Sequence, residues 1–310
     1  MSLAIGIDVG GTNLRVGVFD DFTLLEETRF EASFSSICVQ NTPEIAWQKI
    51  LECLKTSIEA VSQHHANIQC IGIGFPGFID PKTSNIAQSP NLPGLENVNL
   101  TRDLSALLGK KVVVENDANA AAFGEFCLLN QLDQKAEGLI YLGLGTGVGG
   151  GLVIAGIPLV GQHGCAMEAG HIIVEQSGRL CGCGNYGCLE QYASASGVAK
   201  TYLAATGHSF TAAKIAALAD QGDAQAIDAY NLAAEKLAQA LASMLKVVDV
   251  SQVVIGGGMA SAWYLMQSKF FARLEQDLIP VLRGKITVNI STSGDVAGML
   301  GAAKLSSYGV

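Results

Sequence analysis

Three thiols, Cys181, Cys183 and Cys188, are spaced C-x-C-x-x-x-x-C and follow a histidine, His171. Sulfur and imidazole nitrogen are the donors that a tetrahedral Zn²⁺ prefers, so the four side chains predict one Cys₃His site. With every position filled by protein, such an ion braces the chain and leaves no place for a water. The protein's chemistry then lies elsewhere. Gly182, Gly184 and Gly187 permit the tight turns that would bring the thiolates together. The alternative is three buried thiols without an ion.

Two other glycine-rich stretches each carry a threonine: Gly10-Gly11-Thr12-Asn13, just after Asp8, and Gly145-Thr146-Gly147. Backbone amides in such turns can be aimed at phosphate oxygens, and two turns on one chain predict a clamp on one nucleotide. Either turn alone is equally a plain hairpin. Asp8 is acidic where only an intervening Mg²⁺ makes a neighbouring triphosphate tolerable. Asn116-Asp117 ends a short apolar strand and opens a helix, the edge where ligands bind in open α/β sheets. A carboxylate there can accept the proton of an attacking hydroxyl as the O–P bond forms. The other role for Asp117 is an N-cap of the helix from Ala118.

In order along the chain, Gly6-Ile-Asp8-Val-Gly10-Gly11-Thr12-Asn13, Glu115-Asn116-Asp117-Ala-Asn119, Leu142-Gly-Leu-Gly145-Thr146-Gly147, Glu168-Ala-Gly-His171 and the cysteine knuckle resemble the ROK family of sugar kinases and sugar-responsive repressors. The resemblance implies an α/β, two-lobed actin-like ATPase (ribonuclease H-like) fold with a zinc knuckle in the second lobe. It places one lobe at 1–117 plus 295–310 and the other at 118–294. The cofactors it implies are ATP, Mg²⁺ and structural Zn²⁺, with Asp8 serving the cation and Asp117 the catalytic base. By resemblance, Gly77, Asn91, Asn116, Asp117, Glu168, His171 and Glu190 line a sugar pocket. Gly256, Gly257 and Gly258 are expected to admit the adenine, although a strand-to-helix turn also needs glycine. Asn13 departs from the lysine that many members carry. His171 is implied twice, one ring nitrogen on zinc and the other toward a sugar oxygen. Glu190 could instead cap the knuckle.

The expected activity is transfer of the ATP γ-phosphate to the 6-hydroxyl of an aldohexose, glucose first. Allose, N-acetylmannosamine, N-acetylglucosamine and fructose are alternatives. A repressor reading calls for a helix-turn-helix ahead of Gly6, where five residues stand. A sugar-binding protein without catalysis calls for the loss of Asp117 or of a phosphate turn, and both are present.

These residues have to be held by sheets and helices, and 310 residues suffice for two domains with their own cores. Nineteen basic against 28 acidic residues, a net charge of −9, oppose attraction to nucleic acid or anionic lipid. Five further cysteines, Cys38, Cys53, Cys70, Cys127 and Cys165, are scattered without paired spacing, as expected of a cytoplasmic protein. A homodimer is expected from the family resemblance. No secretory leader is read at the N-terminus. Residues 138–161 carry no charge, but their glycines predict two buried strands in place of a membrane span. The remaining pattern predicts a hairpin from Ala4–Val9 and Leu14–Phe19, a helix over Pro43–His65 and a strand over Ile68–Phe75. Beyond these, mostly alanine-rich helix is expected over Ala193–Val248, then strands at Gln252–Ile255 and Ile286–Ile290 and a last helix at Val296–Ser306.

Overall fold

The computed structural model describes residues 3–89, 91–132 and 136–308, with the side chain of Tyr308 left aside. Pro90, within the Ser89-to-Pro93 stretch, lies outside the described residues. In chain order the first elements are β1 (Leu3–Val9), β2 (Asn13–Asp20), β3 (Thr23–Glu31), α1 (Phe34–Gln40), α2 (Pro43–Ser62), β4 (Ile68–Phe75), the short β5 (Phe78–Ile79) and β6 (Ile86–Gln88), α3 (Leu100–Leu108), β7 (Lys111–Asn116) and α4 (Asp117–Gln131). There follow β8 (Gly138–Leu144), β9 (Val148–Ile154), β10 (Ile157–Pro158), α5 (Glu190–Ala193), α6 (Ala195–Thr206), α7 (Ala212–Asp220), α8 (Ala224–Val248), β11 (Gln252–Gly256), α9 (Trp263–Asp277), β12 (Thr287–Ile290) and α10 (Val296–Tyr308). The chain packs as two units, Met1–Glu137 with Gly151–Ala166 and Ser293–Val310, and Gly138–Gly150 with Met167–Thr292.

The first unit is built on a sheet of order β3-β2-β1-β4-β7, in which β1, β4 and β7 run parallel and β1-β2-β3 form an antiparallel meander. The inner strands are apolar on both faces because both are covered, as parallel strands require. One face packs Ile5, Ile7, Leu14, Val16, Ile71 and Ile73 against α1, α2 and α3 through Phe34, Ile50, Leu54, Ile58 and Leu104. The edge strand β3 alternates exposed and half-buried residues, with Glu27 and Arg29 on the outer side guarding it from further pairing.

The opposite face receives α10, which also packs along α4. This approach is close enough that a Cβ at Gly6 would collide with the Met299 carbonyl and one at Gly72 with the Ala302 carbonyl. Small residues in the strands thus decide where the C-terminal helix lies.

In the second unit the start of β9, then β8, β11 and β12 follow one another, with β8, β11 and β12 parallel. β9 carries the chain back into the first unit, where Val153 and Ile154 pair with β10. The uncharged stretch therefore holds the two strands its glycines predict, β8 and β9, and the short β10 besides. Among the described residues no helix is long and apolar enough to cross a membrane.

The alanine-rich region forms three helices in sequence. α6 stops at Gly207 in a left-handed C-cap, α7 starts under the Thr211 side chain, and α8 starts where Asp223 accepts from the Ala226 amide. The buried stripe of α8 is largely alanine, from Ala226 to Ala242, which lets neighbouring helices approach closely.

Candidate active site and metal centre

Asp8, at the end of β1, is paired in register with Arg15 across the hairpin and with Gly74 of β4. The β1–β2 turn is closed by the Gly10 amide donating to the Asn13 carbonyl at 2.9 Å. Asn13 Nδ2 donates to Thr12 Oγ1 at 3.2 Å, and the Ala32 amide holds the Thr12 carbonyl at 2.9 Å. The Gly10 N–H is thus engaged within the turn. Gly11 has open space on its Cβ side.

Asp117 opens α4, but the helix cap is Asn116. The Asn116 Oδ1 accepts from the amides of Ala118 (3.0 Å) and Asn119 (3.1 Å), while its Nδ2 donates to the Gly77 carbonyl at 3.1 Å. Asp117 Oδ1 takes the Ala118 amide at 2.9 Å in addition. Glu115, which the pattern reading passed over, accepts from the Asn116 amide at 2.8 Å and from Asn119 Nδ2 at 3.1 Å. It fixes the strand-to-helix corner from beneath. The acidic residue before the Asn-Asp pair was the available signal.

Burial holds the Asp8 carboxyl up at about 6; the nearby charge of Asp117 adds to the rise and the Arg15 cation opposes it. Burial likewise raises Asp117, against the hydrogen bond from the Ala118 amide. A buried carboxyl whose ionisation a neighbouring carboxylate opposes suits a divalent cation, whose charge favours the ionised form. Asn91 joins this group: its amide is held by Ser89 Oγ at 3.1 Å, and its Nδ2 reaches the Gly10 carbonyl at 3.4 Å. Ser89 Oγ in turn donates to the Pro76 carbonyl.

In the second unit the β8–β9 turn is held by several bonds. The Gly145 amide donates to the Gly147 carbonyl at 3.0 Å, the Ala195 amide to the Gly145 carbonyl at 2.9 Å, and Ser196 Oγ to the Thr146 carbonyl at 2.6 Å. Glu190 Oε2 accepts the Val148 amide at 3.2 Å, so this acid braces the turn and does not cap the knuckle. Gly257, at φ 81°, lies so near Leu144 that a Cβ would meet its backbone. That contact sets the 256–258 glycines beside the same turn. Gly256 lies under the Tyr141 ring and Gly258 faces open space.

His171, Cys181, Cys183 and Cys188 converge, with all four ligand atoms within 4.8 Å of one another. His171 Nδ1 lies 3.6 Å from Cys181 Sγ, and Cys183 Sγ lies 3.6 Å from Cys188 Sγ. Tetrahedral Zn–S bonds of about 2.3 Å place sulfurs about 3.8 Å apart, so the donor set fits that ion. Gly184 and Gly187, at φ 91° and 80°, make the turns. Short bridges between Leu180 and Tyr186 and between Ile173 and Cys188 hold the loop. Nδ1 faces the thiols, and Nε2 points toward Glu168 Oε2 at 3.8 Å, beyond hydrogen-bond reach. A zinc ion on Nδ1 leaves the proton on Nε2.

A mixed sheet with a glycine turn between its first two strands, repeated in a second unit, and an acid just before the first of these turns define the actin-like ATPase fold. Within that class the chain belongs to the ROK family, whose model matches residues 4–308. It is 34% identical to a glucokinase of Thermotoga maritima over 97% of this chain and 96% of that protein. To an N-acetyl-D-glucosamine kinase of Salmonella newport it is 33% identical, over 97% and 98% of the two chains. The crystal structure of a ROK family glucokinase from Streptomyces griseus with glucose and AMPPNP superposes with a TM-score of 0.81 at 30% identity, covering 99% of this chain and 100% of that one.

Proposed function

We propose that this protein is a glucokinase, transferring the γ-phosphate of ATP to the 6-hydroxyl of glucose. Sugar phosphorylation is the activity named for two relatives of this chain, a glucokinase and an N-acetyl-D-glucosamine kinase, and the Streptomyces griseus glucokinase was solved with glucose and AMPPNP. The observation that carries the reading is that Asp8 and Asp117 meet at Gly74, Asp8 as its register partner and Asp117 with its Cα 3.5 Å from where a Gly74 Cβ would stand, just before the Gly11–Thr12 turn: one acid is assigned to a cation, the other to a proton.

Asp117 accepts the hydroxyl proton as the O–P bond forms, and the burial that raises its pKa strengthens it as a base. By the family resemblance, Gly77, Asn91, Asn116, Asp117, Glu168, His171 and Glu190 are the residues assigned to the sugar. Gly11, Thr12 and the Gly145–Gly147 turn donate to phosphates, Gly10 and Asn13 shape the first turn, and Gly256–Gly258 adjoin the adenine. Mg²⁺, when bound, neutralises the charge on the transferring phosphoryl group. Asp8 would hold it. Zinc on His171, Cys181, Cys183 and Cys188 would supply rigidity alone. The cytoplasm and a homodimer complete the proposal.

N-acetylglucosamine is the second substrate reading, favoured by the 33% identical kinases. Coupled ADP release with glucose, N-acetylglucosamine, N-acetylmannosamine, allose and fructose separates them by kcat/KM. A higher kcat/KM for any sugar other than glucose would reject the glucokinase assignment, and no sugar-dependent ADP release at all would reject the kinase.

A further inference from the structure

We infer that Asp295 is a positioning residue for phosphoryl transfer: its ion pair with Arg15 keeps that guanidinium beside Asp8 without letting it close on the Asp8 carboxylate. The inference rests on the assignment of Asp8 to the Mg²⁺ of Mg-ATP.

Arg15 is the direct cross-strand partner of Asp8, and its charge is the one whose attraction acts on that carboxyl. Its side chain is largely buried, 22% exposed, whereas that of Asp295 is 58% exposed. A half-exposed ion pair contributes little to stability, so its effect has to be sought in where it holds the arginine.

Asp295 stands immediately before α10, whose first turn covers the same carboxylate. A Cβ at Gly298 would lie 3.8 Å from Asp8 Oδ1. The segment is also tied one step earlier, where Ser293 Oγ donates to Oε1 of the buried Glu125 at 2.6 Å. Asp8 is thus flanked by a cation on its own sheet and by a helix turn above it, and Asp295 touches both arrangements.

A guanidinium paired directly with Asp8 would compete with a divalent cation for the same oxygens. With Asp295 as its partner, Arg15 faces that segment, and the Asp8 oxygens stay available. The chain that returns to the first unit at Ser293 therefore sets how well Asp8 serves the metal.

The test measures Mg²⁺-dependent binding of a fluorescent non-hydrolysable ATP analogue, without turnover, alongside KM for each substrate. Asp295→Asn is expected to raise the Mg²⁺ concentration for half-maximal binding by about five- to tenfold with sugar KM unchanged. Arg15→Gln/Asp295→Asn should return most of that loss, because the competing cation is gone, and Asp295→Glu should behave like the native protein. An unchanged Mg²⁺ requirement in Asp295→Asn, or a double variant as impaired as the single, overturns the inference. If Asp295→Asn does not fold, Asp295→Glu and the double variant decide between the same outcomes. Asp8→Asn separates the underlying assignment: unchanged Mg²⁺-dependent binding there removes Asp8 from the metal, whereas a loss there with a normal Asp295→Asn removes only the role of Asp295.

Discussion

Glu190 accepts the Val148 amide at 3.2 Å and fills the space that any side chain at Gly147 would need. It stands two residues beyond Cys188, so the stretch that follows the knuckle is tied to the β8–β9 turn by this carboxylate. Glu190→Ala should therefore raise the KM for ATP as well as for the sugar. Glu190→Gln, which keeps an acceptor for Val148, should spare the ATP KM. Steady-state kinetics with each substrate varied will tell; a sugar-only effect in the alanine variant would show that the turn holds itself.

Elemental analysis should find one zinc per chain. Stripping it, or substituting Cys183→Ser, should weaken sugar binding through His171 and loosen the turn through Glu190, because disordering the loop releases both. Hydrogen exchange should quicken in 145–148 as well as in the knuckle. A verified zinc-free protein with native exchange and native sugar affinity would leave the cysteines without a structural ion.

Asp117→Asn should lower kcat by about two to four orders of magnitude, the usual worth of a general base. Its melting temperature should barely move, since Asn116 already caps α4 and the substituted carboxamide would still offer an oxygen to the Ala118 amide. Near-native turnover in a folded preparation would move the base elsewhere.

Gly257→Ala and Gly145→Ala form a contrasting pair. At Gly257 a positive φ and the Leu144 backbone both oppose a side chain, so unfolding free energy should fall by more than about 1 kcal/mol. At Gly145 the Cβ meets open space, and chemical denaturation should give a near-native midpoint. An equal loss at both positions would mean that the turn's own conformation, and not the Leu144 contact, sets the requirement.

Glu26, on the edge strand, is held below the ordinary glutamate value by hydrogen bonds from His65 (2.8 Å) and His64 (3.3 Å) just beyond α2. The folded state then binds fewer protons than the unfolded chain, so the contribution is present above about pH 4.5 and lost as pH falls through the lower folded value. Denaturant midpoints taken across the acid range should decline less steeply in Glu26→Gln than in the native protein. Parallel declines would assign the acid loss to other groups.

By itself the sequence determined what short-range geometry and chemistry dictate. Glycine spacing marks the two turns, thiol spacing with one histidine marks a four-donor cluster, and apolar runs mark the inner strands, because each depends on residues a few positions apart. Helix ends in the alanine-rich region needed caps to be recognised, and the periodicity alone ran past Gly207 and Asp223. Only the tertiary structure decided that Asn116 is the N-cap of α4, accepting from the Ala118 and Asn119 amides, while Asp117 shares the Ala118 amide and stays buried. It likewise decided that Glu190 braces Val148 and that Arg15 pairs with Asp295. Those pairs join residues far apart in the chain, and packing selects them: α10 lies close over the Gly6 and Gly72 strands, and α5 brings Glu190 to the β8–β9 turn.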